Sequence, residues 1–373
     1  MPARRLIRTI SQSLSQSLTR PLAGFAAGLL LAMPLLAAAD PLYTLTVLAG
    51  PNSRAWDINL SGQVVGENAG NAWFHDGSSY LDLGAGSARG INDAGQIAGQ
   101  GSGGNGFFYS GGVMTAITHF GPTFVGGLNN NGIVVGMAVV EDPEFPFARH
   151  AYSWQDGVST DLGTLYGLQS RAYAINGAGH IVGATDIGGA PNYPLTPFLY
   201  RDGVMSEIVS FPGPWSEALA INDHDQVVGA GGIEYDGGGD LYPRTAFLWD
   251  AGVLTDIGAL SGSSQSHALG INNLSQVIGY FEESFINHAF LYENGSFFDL
   301  NDLVDPSGSG WVIAEANGIN ELGQIAGTAC RDGACYAVRL DLVPAVPEPG
   351  AWAMLLGGCT LVGWRRRKLA KRG

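Results

Sequence analysis

The chain has 373 residues, of which 46% are hydrophobic and 14% charged, with 56 glycines. That is the composition of a packed globular protein and excludes a polar disordered chain. Net charge is −15, and between residues 40 and 347 eight arginines and no lysine face 32 acidic residues, a net of −24. Nucleic-acid binding needs a basic face and is excluded on that balance, which suits solubility or attraction to cations.

Residues 1–39 read as a secretory signal, expected to be helical. Arg4, Arg5, Arg8 and Arg20 make a basic n-region, Leu22 to Leu36 an apolar core, and Ala37-Ala38-Ala39 a cleavage site before Asp40. Arg4-Arg5 followed by Leu6-Ile7 leaves the twin-arginine route open beside Sec export.

The body, 40–345, is built on a nine-residue stretch, Ile-Asn-x-x-Gly-Gln-Val-x-Gly, that occurs seven times. Its asparagines are Asn59, Asn92, Asn129, Asn176, Asn222, Asn272 and Asn320, spaced 33, 37, 47, 46, 50 and 48 residues apart. A period of this size means a repeat architecture. Each Asn starts a turn, because its side chain bonds nearby backbone. Gly62, Gly95, Gly132, Gly179 and Gly323 supply a positive φ three residues later, and Val or Ile opens the next strand. Asp225 and Ser275 replace that glycine. Asp visits the left-handed region readily, whereas Ser275 predicts a somewhat different turn.

Each unit then carries an aromatic strand and a second hairpin, as in Ala246-Phe247-Leu248-Trp249, Asp250-Ala251-Gly252 and Val253–Gly258. Asp76-Gly77, Asp156-Gly157, Asp202-Gly203 and Asn294-Gly295 are hairpin signals of the same kind. Four short strands per unit follow, and no long stretch has a helical period.

The ends predict closure. Leu42 to Leu48 reads as a fourth strand with nothing before it, and Cys335 to Leu340 as a third strand with nothing after it. A linear solenoid leaves both edges open; a ring lets the N-terminal strand complete the last unit. The expectation is all-β: a seven-bladed β-propeller of four-stranded blades, the Gly- and Ala-rich first strand of each nearest the axis. A β-solenoid is the alternative, although these units are long for one coil.

His288-Ala289-Phe290, Asp161-Leu162-Gly163-Thr164-Leu165 and Gly270-Ile271-Asn272 with Gln276-Val277-Ile278-Gly279 resemble the HAF-type extracellular repeat family of bacteria, over roughly 40–340. That family is defined by its repeat and implies no activity. The tail, 346–373, is similar to a PEP-CTERM sorting signal, also known as the C-terminal segment of ice-binding proteins. Val346-Pro347-Glu348-Pro349 precedes an apolar run, Ala351 to Trp364, and a basic stop at Arg365, Arg366, Arg367 and Lys368. The resemblance implies an exosortase as processing partner and a Gram-negative bacterium as source. A short membrane-sorting helix would hold the exported body transiently at the inner membrane, its basic end cytoplasmic, before release to the cell surface or matrix. A permanent anchor is the alternative. No regular Thr array suggests an ice-matching face.

Cys330 and Cys335 flank the turn Arg331-Asp332-Gly333-Ala334 on adjacent strands, which predicts a disulfide in an oxidising compartment and, less well, half of a metal site. Cys359 sits in the tail run without a partner. Of the seven histidines, His150 and His288 hold equivalent repeat positions, which points to structure. Asp82, Asp161, Asp256 and Asp299 recur in the same way and predict a turn or inter-blade hydrogen bond. The acidic loops Glu141-Asp142-Pro143-Glu144 and Glu234 to Asp240 could bind Ca2+ but lack the spacing of a defined loop. Gly-x-Ser-x-Gly, His-Glu-x-x-His and P-loop patterns are absent from the sequence.

No catalytic residue or cofactor is expected. The residues favour a non-enzymatic binding or structural component of the cell surface or extracellular matrix, with extracellular polysaccharide as a candidate partner. A polysaccharide lyase or hydrolase with a channel site and a calcium-dependent adhesin are the alternatives. An enzyme should gather non-repeated polar residues at one mouth of the ring, whereas this chain is expected to repeat its polar residues.

Overall fold

The computed structural model describes residues 43–118, 121–141, 144–145, 148–188, 194–233, 243–263, 265–304 and 310–343. The signal, the sorting tail with Val346–Pro349 and Arg365–Lys368, Cys359, His119, Asp142-Pro143 and the 234–240 loop lie outside them. Among the described residues the protein is all-β, with five four-stranded antiparallel sheets, one seven-stranded sheet and two single-turn 3-10 helices. No helix among them is long and apolar enough to cross a membrane.

Strands lie side by side in chain order. The first strands are Ser53–Ile58, the second half of Tyr80–Ile91, Thr123–Leu128, Ser170–Ile175, Glu217–Ile221, Ser266–Ile271 and Val312–Ile319. The seven-stranded sheet is two four-stranded units sharing Tyr80–Ile91: residues 80–85 pair back onto Asn71–His75, and 86–91 pair forward onto Ile97–Gly101. Here the sequence pattern suggests two separate strands, and the chain instead runs through as one. The N-terminal strand Tyr43–Pro51 lies antiparallel to Ala334–Leu342, with Tyr43 opposite Leu342 and Val47 opposite Val338.

The repeat turn has one geometry throughout. The Asn N–H donates to the carbonyl four residues on, and the N–H three residues on returns to the Asn carbonyl, as in Asn59 with Gln63 (3.0 Å) and Gly62 (2.9 Å). This is a three-residue loop whose last residue is left-handed. Asp225 and Ser275 both adopt φ 60° and make the same two bonds, so the different turn expected at Ser275 does not occur. The second hairpins at Asp156-Gly157, Asp202-Gly203 and Asn294-Gly295 have both central residues at positive φ, the mirror-image turn that matches strand twist. Asp76-Gly77 departs from that expectation. Its loop runs to Ser79, and Asp76 Oδ1 accepts from the Ser78 and Ser79 N–H groups at 2.8 and 2.6 Å.

The glycine closing each repeat is fixed by close approach. In all seven copies a Cβ would overlap the carbonyl oxygen of the paired first strand, for example Glu217 opposite Gly229. In six it would also meet the aromatic ring of the third strand, as Gly229 does with Phe247. The apolar core lies between neighbouring sheets. Val228, Ala246 and Ile257 of one sheet pack with Ala268, Val277 and Phe290 of the next. Leu48 and Ala49 of the N-terminal strand, with Ala326 and Ala337, pack on Ala55, Ile58 and Trp73.

Candidate functional site

The repeat asparagines join the sheets to one another. Each Oδ1 accepts from the N–H four residues on, at 2.9–3.0 Å, and so holds its own turn. Each Nδ2 donates to the carbonyl of the next asparagine: Asn59 to Asn92, Asn92 to Asn129, Asn129 to Asn176, Asn176 to Asn222, Asn222 to Asn272 and Asn272 to Asn320. Asn320 donates to Asn59 at 2.9 Å, which makes the seven bonds a closed cycle. All seven asparagines are buried. Both ends of the amide are used, a role that neither Asp nor Ser can fill.

Beside this cycle lies a cavity of about 330 Å3, walled by the residue after each asparagine: Leu60, Asp93, Asn130, Gly177, Asp223, Asn273 and Glu321. Its acids serve the backbone. Asp93 Oδ1 accepts from Leu60 N–H (2.8 Å), Asp223 Oδ1 from Gly177 N–H (2.8 Å) and Glu321 Oε1 from Asn273 N–H (3.1 Å). Among the described residues no group of three or more His, Cys, Asp or Glu is placed to hold a metal ion.

A second cavity, about 320 Å3, is lined by the residues one to three positions before the asparagines and shares Asp57, Leu128, Ile175, Ile271 and Ile319 with the first. Each first strand carries a bulge three residues before its asparagine, where two residues oppose one on the second strand. The extra residues are Trp56, Arg89, Gly126, Tyr173, Leu219, Leu269 and Asn317, and all seven line this cavity. This column does not repeat, which corrects the expectation that polar residues recur around the molecule. Comparing units at that offset from the asparagine would have exposed it in the sequence.

Among the described residues Arg89 is the one arginine in the lining of this cavity, beside Trp56, Tyr173 and Asp57. Arg54, Arg171 and Arg244 adjoin it through Trp56, Tyr173 and Glu217. The Arg89 guanidinium lies 4.2 Å from the Trp56 ring centre, and Arg54 stands 5.8 Å from it and 3.7 Å from Glu315. On the other side Arg171 donates to the Tyr173 hydroxyl (3.3 Å), Tyr173 donates to Glu217 Oε1 (2.5 Å), and Arg244 donates to Glu217 Oε2 (2.7 Å). Burial, then the Glu217 charge, pushes the Tyr173 hydroxyl well above its ordinary value. His267 stacks on Tyr280, ring centres 4.8 Å apart, and burial aided by Arg244 pushes it down to about 4, so it is neutral at physiological pH.

Two residues that line this cavity carry buried donors without a hydrogen-bond partner among the described residues, Trp56 Nε1 and Arg89 Nε. Most buried polar groups in folded proteins are satisfied, so the pair points to water or a ligand.

Between the two cavities sits Asp57. Its equivalents are Gly90, Gly127, Ala174, Ala220, Gly270 and Gly318, so it is the sole carboxyl in its column. Its oxygens accept from Ile58 N–H (2.8 Å) and Ile91 N–H (2.9 Å). The side chain keeps some surface toward the cavities but is ringed by protein, and burial pushes its carboxyl up to about 7 against those two bonds.

No family model matches this chain, and no curated protein matches it. Solved structures do. An acylaminoacyl peptidase in complex with Z-Gly-Gly-Phe-chloromethyl ketone aligns over 81% of this chain and 54% of its own, at TM-score 0.50 and 12% identity. The uncomplexed Pyrococcus horikoshii acylaminoacyl peptidase aligns over 78% and 52%, at TM-score 0.51 and 12% identity. The β-propeller domain of the Trilobed protease from Pyrococcus furiosus, of open velcro topology, aligns over 79% and 95% at TM-score 0.49 and 10% identity. The chain thus spans about half the length of the two peptidases, and likeness at such identity concerns the fold alone.

The histidines and acids singled out in the sequence lie elsewhere. His150 Nδ1 is 2.9 Å from Asp161, and His288 Nδ1 is 3.0 Å from Asp299, with Thr245 to Asp256 (2.6 Å) in the same place of another sheet. These pairs clasp the third strand to the fourth within one sheet, rather than one sheet to another. The same carboxylates also hold the following turn, as Asp161 does by accepting from Gly163 N–H at 2.8 Å. Cys330 and Cys335 face each other across the last hairpin and are joined by a disulfide.

Proposed function

We propose that the body is a seven-bladed β-propeller closed by its N-terminal strand, and that it acts outside the cell as a non-enzymatic binding component of the cell surface or matrix. The ring reading is supported by the closed cycle of asparagine bonds, and by the pairing of Tyr43–Pro51 with Ala334–Leu342. The chain ends reinforce each other there. Ala337 N–H donates to Ser53 Oγ at 2.8 Å, and Asn317 Nδ2 to the Ala55 carbonyl at 2.8 Å.

The binding reading rests on one observation. Around Trp56, Arg89 and Tyr173 the repeat breaks down and buried polar atoms are left without partners among the described residues, a break that an enzyme would also show; the Tyr173 hydroxyl, held protonated by burial, favours binding over catalysis. A ring built only to be a spacer has no reason to vary that column. Export, processing by an exosortase and release from the inner membrane follow from the sequence of residues 1–39 and 346–373. Extracellular polysaccharide is the proposed partner. The test is binding of the purified exported protein to a polysaccharide array, with and without calcium. Saturable binding that needs no calcium supports the reading, and an array without signal removes it.

A polysaccharide lyase is the second reading, favoured by the Tyr173–Glu217 pair in a non-repeated setting. A lyase needs a base that gives up its proton readily, and burial beside Glu217 opposes that at Tyr173. Formation of unsaturated product ends from the bound polymer would establish it.

A further inference from the structure

We infer that the mouth around Arg89 and Trp56 recognises a carboxylate-bearing sugar residue, so that the ligand is an acidic, uronate-containing saccharide. This deepens the polysaccharide-binding reading and rests on it.

Three observations carry the inference. First, Arg89 is a half-buried cation without a carboxylate within ion-pair distance among the described residues, in a body of net −24. Acids outnumber arginines four to one between residues 40 and 347, so an unpaired arginine in the bore is unexpected as a structural element. Arg171 and Arg244 reach Tyr173 and Glu217, and Arg54 reaches Glu315, whereas Arg89 lies against Trp56 and Phe124 and feels the Glu67 charge only from beyond ion-pair distance.

Second, the guanidinium is presented for use. The guanidinium carbon lies 4.2 Å from the Trp56 ring centre, a cation–π contact that holds the side chain at the cavity. A planar fork of this kind matches a carboxylate with two parallel hydrogen bonds. Arg89 Nε and Trp56 Nε1 are both buried donors without a partner among the described residues, on side chains in cation–π contact with one another.

Third, the surroundings suit a sugar ring. Tyr173 lines the cavity and offers an aromatic ring to the C–H side of a pyranose, while the Trp56 ring carries Arg89. A neutral sugar would leave the Arg89 charge with only the more distant Glu67 carboxylate to oppose it, and a small carboxylate would leave the Tyr173 ring unused. A carboxylated sugar satisfies both.

The experiment is calorimetric titration of the exported protein with trigalacturonate, with maltotriose as the neutral control and acetate as the carboxylate alone. Trigalacturonate should bind at least tenfold more tightly than either control. Arg89→Ala should abolish that preference, and Arg89→Lys should restore part of it, because the charge returns without the fork. Saturation-transfer NMR on the unaltered protein, which needs no variant to fold, should show the strongest transfer to the ring protons of the carboxylated sugar. Equal affinity for maltotriose overturns the inference and leaves the polysaccharide reading standing. Retention of the preference in a folded Arg89→Ala protein overturns the assigned site. Binding to neither saccharide overturns both readings.

Discussion

Asn320 and Asn59 stand 261 residues apart in the chain, and the side-chain amide of the one donates to the backbone carbonyl of the other at 2.9 Å. The bond is the same one that links each preceding pair of repeat asparagines, so the junction between the chain's last and first units has the chemistry of every other junction. An equal contribution from every junction is therefore expected. Asn320→Ala and Asn129→Ala each remove a turn-holding acceptor and a buried inter-sheet donor, and each should cost on the order of 2–4 kcal/mol. Asn320→Asp keeps the acceptor but loses the amide donor to both the Asn59 carbonyl and Gln324 Oε1 (2.8 Å), and sets a carboxylate against both oxygens, so it tests the donor end of the amide as a whole. Urea midpoints decide the matter, and an Asp variant as stable as the parent would mean the closing bond contributes nothing.

The N-terminal strand supplies the outer edge of the last sheet and buries Tyr43, Leu48 and Ala49. Removing residues 41–49 uncovers the strand Ala334–Leu342 and empties part of two apolar clusters. The truncated protein is expected to aggregate or to melt far below the parent. A truncated body with an unchanged thermal transition would refute the structural role of that strand.

Much of this fold was legible because the turn is made by the same residue types each time. Asn, the left-handed residue three further on, the Val or Ile that follows and the closing glycine have fixed jobs within one hairpin, so they recur at fixed offsets. The site was not legible in that way. Trp56, Arg89 and Tyr173 occupy bulges, where an extra residue breaks the two-residue alternation of a strand. A comparison of repeats discards such a column as noise, although variation there is what a binding mouth requires. The Asn-to-Asn bonds escaped for another reason: they join residues 33–50 apart, beyond any local pattern. The disulfide partners, Cys330 and Cys335, were readable because they lie within one hairpin.

Asp57 and His267 give opposing pH dependences. Burial raises the Asp57 carboxyl to about 7 from 3.8, so the native state holds its proton more tightly than the unfolded chain. Its contribution is full below pH 3.8 and is lost as pH rises through about 7. Burial lowers His267 to about 4 from 6.5, so its contribution is full above pH 6.5 and is lost as pH falls through about 4. A tenfold difference in proton affinity between the native and unfolded chain corresponds to roughly 1.4 kcal/mol. His267→Phe should therefore leave a stability that falls as pH rises from mildly acidic to neutral, and Asp57→Asn one that rises over the same range. Denaturant midpoints against pH for the two variants test the signs, and parallel profiles would contradict the assignment.

The Cys330–Cys335 disulfide closes a loop with a sequence separation of 5, so it restricts the unfolded chain only modestly. Loop-closure entropy for so short a loop gives about 2 kcal/mol. Replacing both cysteines by Ser should lower the denaturant midpoint by that order and leave binding at the mouth intact, because the hairpin is held by its own strand pairing. Mass spectrometry of non-reduced peptides checks the bond itself; both thiols alkylating without reductant would exclude it.

The tail joins a Pro-Glu-Pro motif at 347–349, an apolar run from Ala351 to Trp364 and the basic cluster Arg365–Lys368, in that order. Under the proposed reading each part has a separate physical job: recognition by a processing enzyme, retention in the membrane, and orientation by the positive charges. The apolar run is shorter than the roughly 20 residues that span a bilayer without strain, which makes it a poor permanent anchor. The acidic body has no lysine to add a basic membrane-surface contact. The mature protein is therefore expected to end near Pro349 and to leave the inner membrane. Glu348→Ala should abolish recognition and leave the full chain in the inner membrane, while the folded body keeps its binding properties. Intact-mass measurement of the surface-released form discriminates between the two roles: a released chain still carrying Arg365–Lys368 would make the tail an anchor and not a sorting signal.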